Sequence, residues 1–511
     1  MCPSIKPMRH AILMTILTSA VIAVASIIAG RSLAAQGGIE WPTHGWRTSS
    51  PEAQGIDSRA LADMVNTARE QHIPIHSLVI VRHGRVVLTA TFYPYHEAEL
   101  HDIASATKSV TATLVGVAIG KHQLSDVRQS VLPLFADRSI GHRDPRKDAI
   151  TLQDLLAMTS GLACEFTHGE TTQDEMRKSA DWTQFVLDLP MAAAPGSTFA
   201  YCSPGMHLLS SIVSRATGVS ALQYAQREVF GPLGITDVIW PADPHGVTHG
   251  WGDLHLRPLD MAKLGFLWLH HGRWENRQLI PAAWMRDALA QHSAMMGRGY
   301  GYGIWVYPDR TPPMFEANGR GGQRIIVIPD KDVVVVMAGG GLEPNDLAMY
   351  LWQAIKSDGR LSDNDAALHQ LHAAVASAAA PPEPTATASL PALATQVSGK
   401  RYQLDENALG LTTLSLTFNS NDAQVELAFV DGHRERRPVA LNGVPRLSAD
   451  GRFGLPVAVS GNWERPDVFV LTYDEVANIN AFEFRLAFSA QGVTVGVKER
   501  TGQLNAQFQG R

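Results

Sequence analysis

Ser105-Ala-Thr-Lys-Ser-Val-Thr-Ala-Thr-Leu-Val-Gly-Val-Ala-Ile-Gly120 is the stretch on which the reading of this 511-residue chain turns. Val110, Leu114, Val117 and Ala118 recur at helical spacing and Gly120 ends the run, which predicts a helix over 107–119. Ser105 and Lys108, at i and i+3, then project on one face, so the lysine amine can reach the serine hydroxyl. A serine is a poor nucleophile until a neighbouring base takes its proton, and a desolvated lysine can do that. The helix start also favours a developing oxyanion. This is the only Ser-x-x-Lys in the chain, and its lysine heads an apolar helix where an unpaired charge is costly.

On either side of that helix lie strand signals. Ser77–Arg82 and Arg85–Ala90 flank His83-Gly84, and Ile325–Ile328 and Val333–Met337 flank Pro329-Asp-Lys-Asp332, so each pair reads as a hairpin. A second helix is predicted over 206–216, stopping at Gly218. Strands at both ends with helices between them predict a mixed α/β (α+β) domain over 41–360, with one sheet assembled from distant segments and a helical insert. Residues 361–396 are rich in Ala, Pro, Ser and Thr, the composition of a linker. From 397 to 511 the apolar residues alternate, as in Val425, Leu427, Phe429 and Phe482, Phe484, Leu486, Phe488, with turn signals between runs. That predicts an all-β, barrel-like domain, which offers no nucleophile–base set of its own.

Composition and failed motifs narrow the function. Lys plus Arg is 43 against 49 for Asp plus Glu, a net charge of −6, so there is no basic excess for nucleic acid. No Gly-x-Ser-x-Gly elbow occurs. His96-Glu97 and His101 are spaced by five rather than four, which misses the zincin pattern, and Gly116–Lys121 is too short for a phosphate loop. None of the 20 histidines has ligand spacing with a partner.

With the Ser-x-x-Lys stand two further motifs in order, Tyr201-Cys202-Ser203 and Arg320-Gly321-Gly322. Leu152–Leu162, Pro195-Gly196 before the tyrosine, and Gly322-Gln323 leading into the second hairpin agree with them. Over roughly 41–355 the chain resembles the serine β-lactamase and penicillin-binding-protein superfamily, on the class C β-lactamase, esterase and 6-aminohexanoate-oligomer hydrolase side. The resemblance implies a β-lactamase-like antiparallel sheet flanked by helices, with catalysis by Ser105, Lys108 and Tyr201. It implies an oxyanion hole from the backbone N–H groups of Ser105 and Gln323, and substrate contacts from Ser203, Arg320, Gly321 and Gly322. Either the lysine or the tyrosine serves as base. Ser203 stands where β-lactamases commonly carry asparagine, which fits esterase-like relatives. Arg320 stands where the family has lysine or histidine; it forks onto a substrate carboxylate or pairs with a nearby acid. The implied reaction is cleavage of a small-molecule or peptide-like ester or amide through an acyl-enzyme, with neither metal nor organic cofactor. β-Lactamase or D-alanyl peptidase activity, or inactive binding of cell-wall peptide, are the alternatives.

Lys6 and Arg9 precede an apolar run from Ala11 to Gly30, and Ser32-Leu-Ala-Ala35 follows. Residues 1–35 therefore read as a signal peptide, or as an uncleaved membrane anchor, since the run is long enough to span a bilayer. Either way the rest of the chain is sent outward, making it periplasmic, secreted, or anchored on the inner membrane facing out. Export would put Cys164 and Cys202 where a disulfide can form; two free thiols are the other reading.

Overall fold

The structure is a computed structural model that describes residues 39–165, 170–342, 345–420 and 422–511. The expected export segment, 1–35, lies outside the described residues. No helix among the described residues is long and apolar enough to cross a membrane.

Helix α1 (Ser58–Glu70) is capped by the Asp57 side chain, which accepts from the Arg59 N–H. The first expected hairpin follows as β1 (Ile75–Arg82) and β2 (Arg85–Thr91). His83 and Gly84 both take positive φ, as a tight hairpin turn requires. Helix α2 is Thr107–Gly120, and α3 (Ser203–Thr217) ends on left-handed Gly218. Helix α4 is Pro258–Leu269. The sheet is completed by β3 (Ser293–Met295), β4 (Arg298–Tyr300), β5 (Trp305–Tyr307), β6 (Met314–Gly319), β7 (Gln323–Ile328) and β8 (Val333–Gly339). Its order is β2-β1-β8-β7-β6-β5-β4-β3, with antiparallel pairing throughout. The N-terminal hairpin thus pairs with the last strand, closing one sheet from distant segments.

Both faces of the central strands are covered, which is why they read as continuous apolar runs rather than as alternation. Leu78, Ile80, Val335 and Met337 face α1 together with α5 (Asn345–Ala354) and α6 (Asp365–Ala379). On the opposite face α4 comes so close at Gly265 that a Cβ there would meet Val334 at 2.5 Å and Ile325 at 2.8 Å.

Within the stretch expected as a linker, 361–396, Asp365–Ala379 forms helix α6, while residues 381–391 carry no regular element. The alanines of α6 are strong helix formers, and Leu371, Ala374 and Ala378 form the stripe that joins the core beside α1. A further short helix spans Ala392–Val397.

The tail is the expected all-β unit. Its strands are β9 (Arg401–Gln403), β10 (Leu411–Phe418), β11 (Asp422–Phe429), β12 (Arg434–Ala440), β13 (Arg446–Ser448), β14 (Val457–Arg465), β15 (Val468–Asp474), β16 (Ala481–Ser489), β17 (Gly492–Glu499) and β18 (Asn505–Gly510). They form one ten-stranded sheet, and a bridge from Leu404 to Gly510 nearly closes it into a barrel. Alternate residues such as Val425, Leu471, Leu486 and Val495 fill the interior.

Candidate active site

Ser105 lies in a 3-10 turn, Ala104–Ala106, that runs straight into α2. Ala104 takes φ +46°, a left-handed conformation unusual for a residue with a Cβ, and its N–H is held by an Asp102 carboxylate oxygen at 2.7 Å. One turn further on, Lys108 donates from Nζ to Ser105 Oγ at 2.8 Å and to the Trp251 carbonyl at 3.0 Å. Only 1% of Lys108 is exposed. Its Nζ also lies 4.7 Å from the centre of the Tyr201 ring. Burial lowers the Lys108 amine to about 8, against an opposing pull from Glu170 and Asp253. Tyr201 precedes α3, is hydrogen-bonded through its side chain to Ser105, and has its phenol pushed well above the usual range by burial. Ser105, its neighbour one turn on, Lys108, and the sequence-distant Tyr201 therefore meet around one hydroxyl.

The third motif is arranged differently. The turn between β6 and β7 brings Gly319 hard against the segment before the serine: a Cβ on Gly319 would meet the Ile103 carbonyl at 2.4 Å and Ala104 Cβ at 3.0 Å. Asn318 and Arg320 line the cleft in front of Ser105; Gly321, Gly322 and Gln323 do not. Gly321 and Gly322 both have positive φ, and Gly321 packs so near Ile479 that a Cβ would meet it at 2.4 Å. Their small size thus serves the turn and its contact with the β unit. Gln323 is fully buried, and its side-chain amide pairs with both the N–H and the carbonyl of Gly339. Ser203 is buried in the first turn of α3, off the cleft wall.

Arg320 reaches the β unit. Its Nη1 donates to Thr501 at 2.6 Å, its Nη2 donates to Asn480 at 2.8 Å, and the buried Glu499 carboxylate lies 3.6 Å away. Of the two readings of this residue, the geometry is that of an arginine paired with an acid, with both Nη groups engaged.

Cys164 and Cys202 are joined in a disulfide. The bond ties the residue beside Tyr201 to the loop after the short helix Leu152–Leu156.

The cleft around Ser105 has a volume of about 610 Å³. Several of its walls had no signal in the sequence. Trp251 lies against His249, ring centres 4.7 Å apart, and His249 pairs with Asp253 at 2.7 Å. Burial raises the Asp253 carboxyl, but the His249 hydrogen bond together with the nearby charges of Arg452 and Arg177 outweighs that and holds it at about 2. The carboxylates of Asp102, Glu170, Asp174 and Asp253 share the cleft with Arg177, Arg298 and Arg320. Trp305, easily taken for a core aromatic, lines the cleft and stacks on Tyr201, whereas Tyr300 and Tyr302 are buried. Ile479 and Gln503 come from the β unit, which also binds the short strand His101–Asp102 ahead of Ser105 through the Asp102 N–H to the Ala477 carbonyl. Among the described residues no group of three or more His, Cys, Asp or Glu is placed to hold a metal ion.

A mixed α/β fold whose antiparallel sheet brings the β6–β7 turn against a serine, lysine and tyrosine set defines a class, and comparison with known proteins agrees. The Beta-lactamase family matches residues 59–360, and the chain belongs to that family, whose members are generally hydrolytic. Protein flp of Staphylococcus aureus (strain COL) is 27% identical over 201 residues, 37% of this chain and 39% of that one. The lovastatin esterase of Penicillium rubens is 27% identical over 170 residues, 30% of this chain and 42% of its own. The chain thus spans less than half the length of either relative. Among solved structures, a Bacillus anthracis protein provisionally assigned as a 6-aminohexanoate-dimer hydrolase superposes with a TM-score of 0.50 at 18% identity, covering 62% of this chain and 86% of that one. That likeness concerns the fold.

Proposed function

We propose that this protein is an exported serine hydrolase that cleaves an ester or amide through an acyl-enzyme on Ser105. The observation that carries the reading is the buried Lys108 amine, 2.8 Å from Ser105 Oγ and lowered to about 8. A base must be within hydrogen-bond reach of the proton it takes and must be partly neutral at working pH; Lys108 meets both conditions.

In the forward step Ser105 Oγ attacks the substrate carbonyl while its proton passes to Lys108. Tyr201, bonded to Ser105 and beside the amine, passes a proton to the departing alcohol or amine. The acyl group then rests on Ser105 as an ester. Water attacks it, giving a proton to the same pair; the bond to Ser105 Oγ then breaks as the pair returns a proton to Oγ, and the acid leaves. Negative charge on the carbonyl oxygen needs backbone donors. One is the Ser105 N–H. For the second we assign Arg320 N–H rather than Gln323 N–H. Arg320 lines the cleft directly after Gly319, the residue in contact with Ala104, whereas Gln323 is off the wall.

An ester substrate is favoured over a β-lactam. The resemblance places Arg320 where the family carries a cation, yet both of its Nη groups are held by Thr501 and Asn480. The similarity to a lovastatin esterase points the same way. The disulfide between Cys164 and Cys202 supports export to an oxidising compartment. The test is a panel of p-nitrophenyl esters, short amide oligomers and a chromogenic cephalosporin. Esters are turned over fastest, and Ser105→Ala lowers kcat/KM at least about 10³-fold. Ester hydrolysis undiminished in Ser105→Ala would reject the reading.

A further inference from the structure

At one end of the β unit the barrel interior opens into a cavity of about 400 Å³, separate from the catalytic cleft. This falls in the size range of small-ligand pockets, about 300–1,000 Å³. Its walls are Leu409, Leu411, Leu427, Phe429, Phe482 and Phe484. Leu411, Leu427 and Phe484 belong to the barrel core, while Leu409, Phe429 and Phe482 are only partly covered. A core built at native density leaves no such gap, so apolar side chains here stand ready for an apolar occupant.

The rest of the lining is charged, and unevenly so. Asp431, Glu435, Asp450 and Glu475 face Arg452 and His433. Behind the wall, buried Arg437 pairs with Glu435 and Asp450. Glu435 is further satisfied by the Tyr473 hydroxyl at 2.6 Å and by His433. Four carboxylates thus meet two guanidinium groups, leaving the cavity net negative.

Glu475 is the carboxylate that the surroundings leave incomplete. One oxygen accepts from Asn480 Nδ2 at 3.0 Å, and among the described residues nothing donates to the other. Burial pushes its carboxyl up, with Arg452 opposing. A half-buried carboxylate with an open acceptor gains from a charged donor. Asn480 also accepts from Arg320, so two hydrogen bonds separate this carboxylate from the wall of the catalytic cleft.

We propose that this cavity binds a small amphiphile with an apolar body and an ammonium-type head, the body among Leu411, Leu427 and Phe484 and the head against Glu475. The site is independent of the acyl-transfer reading, and its test does not involve hydrolysis. The full chain is titrated by calorimetry with decylammonium, whose head carries three N–H donors, below its micelle concentration, and with decyl sulfate as the anionic match. The cation should bind saturably at a single site, at least about tenfold tighter than the sulfate. Leu427→Trp, which fills the cavity, should abolish that binding. Glu475→Gln, which keeps an acceptor for Asn480, should weaken the cation about tenfold and leave the sulfate unchanged. No saturable uptake of the cation, equal affinity for the sulfate, or full binding by Leu427→Trp would overturn the proposal. If Leu427→Trp fails to fold by circular dichroism, Glu475→Gln decides alone: an undiminished cation affinity overturns it.

Discussion

In the proposed reaction Lys108 must be neutral to take a proton, and burial lowers its amine to about 8, so that a neutral fraction exists near physiological pH. The sign of the pH dependence follows. Below about 8 the amine is protonated and cannot serve as base; above it the neutral form dominates. The pH profile of kcat/KM should therefore rise through about 8 and then level, read with a substrate that does not itself titrate. Lys108→Arg, which stays charged at every usable pH, should lose activity throughout and lose the rising limb with it. Tyr201→Phe keeps the ring beside the amine but removes the phenolic proton, so kcat should fall about 10²–10⁴-fold in steady-state assays. The pairing of Ser105 with Lys108 is legible in the sequence because i and i+3 on a helix is a local geometry. The Trp251 carbonyl that orients the amine is 143 residues away and is contributed by backbone, so no side-chain pattern announces it.

The turn between β6 and β7 carries Arg320, and the β unit grips it by its side chain. If Arg320 N–H is an oxyanion donor, then Asn480 and Thr501 are positioning residues for it, acting through the guanidinium rather than on substrate. Asn480→Ala with Thr501→Val should lower kcat about tenfold or more while KM changes little, because small displacements cost most in the transition state. Asn480→Asp, which keeps an acceptor for Arg320, should restore most of kcat. Within the sheet, Gly265→Val would force a branched side chain into Val334 and Ile325. A loss of about 1–3 kcal/mol is expected, measured by urea unfolding. Both hairpins, α2 and the barrel strands are readable because their apolar periods are strong. Helix α6 was hidden because alanine is common in linkers as well as helices, and only the partner surface on α1 distinguishes the two. The third motif could be found by composition, but the residue of the turn that faces Ser105 depends on how the Gly pair folds, which the order of residues does not reveal.

Taken together, the molecule places the proposed serine hydrolase site where the β-lactamase-like sheet domain and the β unit meet. The β unit supplies Ile479 and Gln503 to the cleft, holds Arg320, and binds the Asp102 backbone near Ser105. None of this could be read from the tail's own alternation, which reports only its interior. The disulfide between Cys164 and Cys202 joins residues 38 positions apart, the second of them beside Tyr201. Cys164→Ser with Cys202→Ser should cost about 2–4 kcal/mol of stability, visible as a lower Tm under non-reducing conditions and as loss of the wild-type protein's sensitivity to reductant. The central claim is that Ser105 is an activated nucleophile. Its most direct test is intact-mass and peptide mass spectrometry of the full chain after brief exposure to a fluorophosphonate at pH 8. One adduct on the peptide bearing Ser105 is predicted, absent in Ser105→Ala and strongly slowed in Lys108→Arg. A wild-type chain that takes up no label, or one labelled equally well after Ser105→Ala, would contradict it.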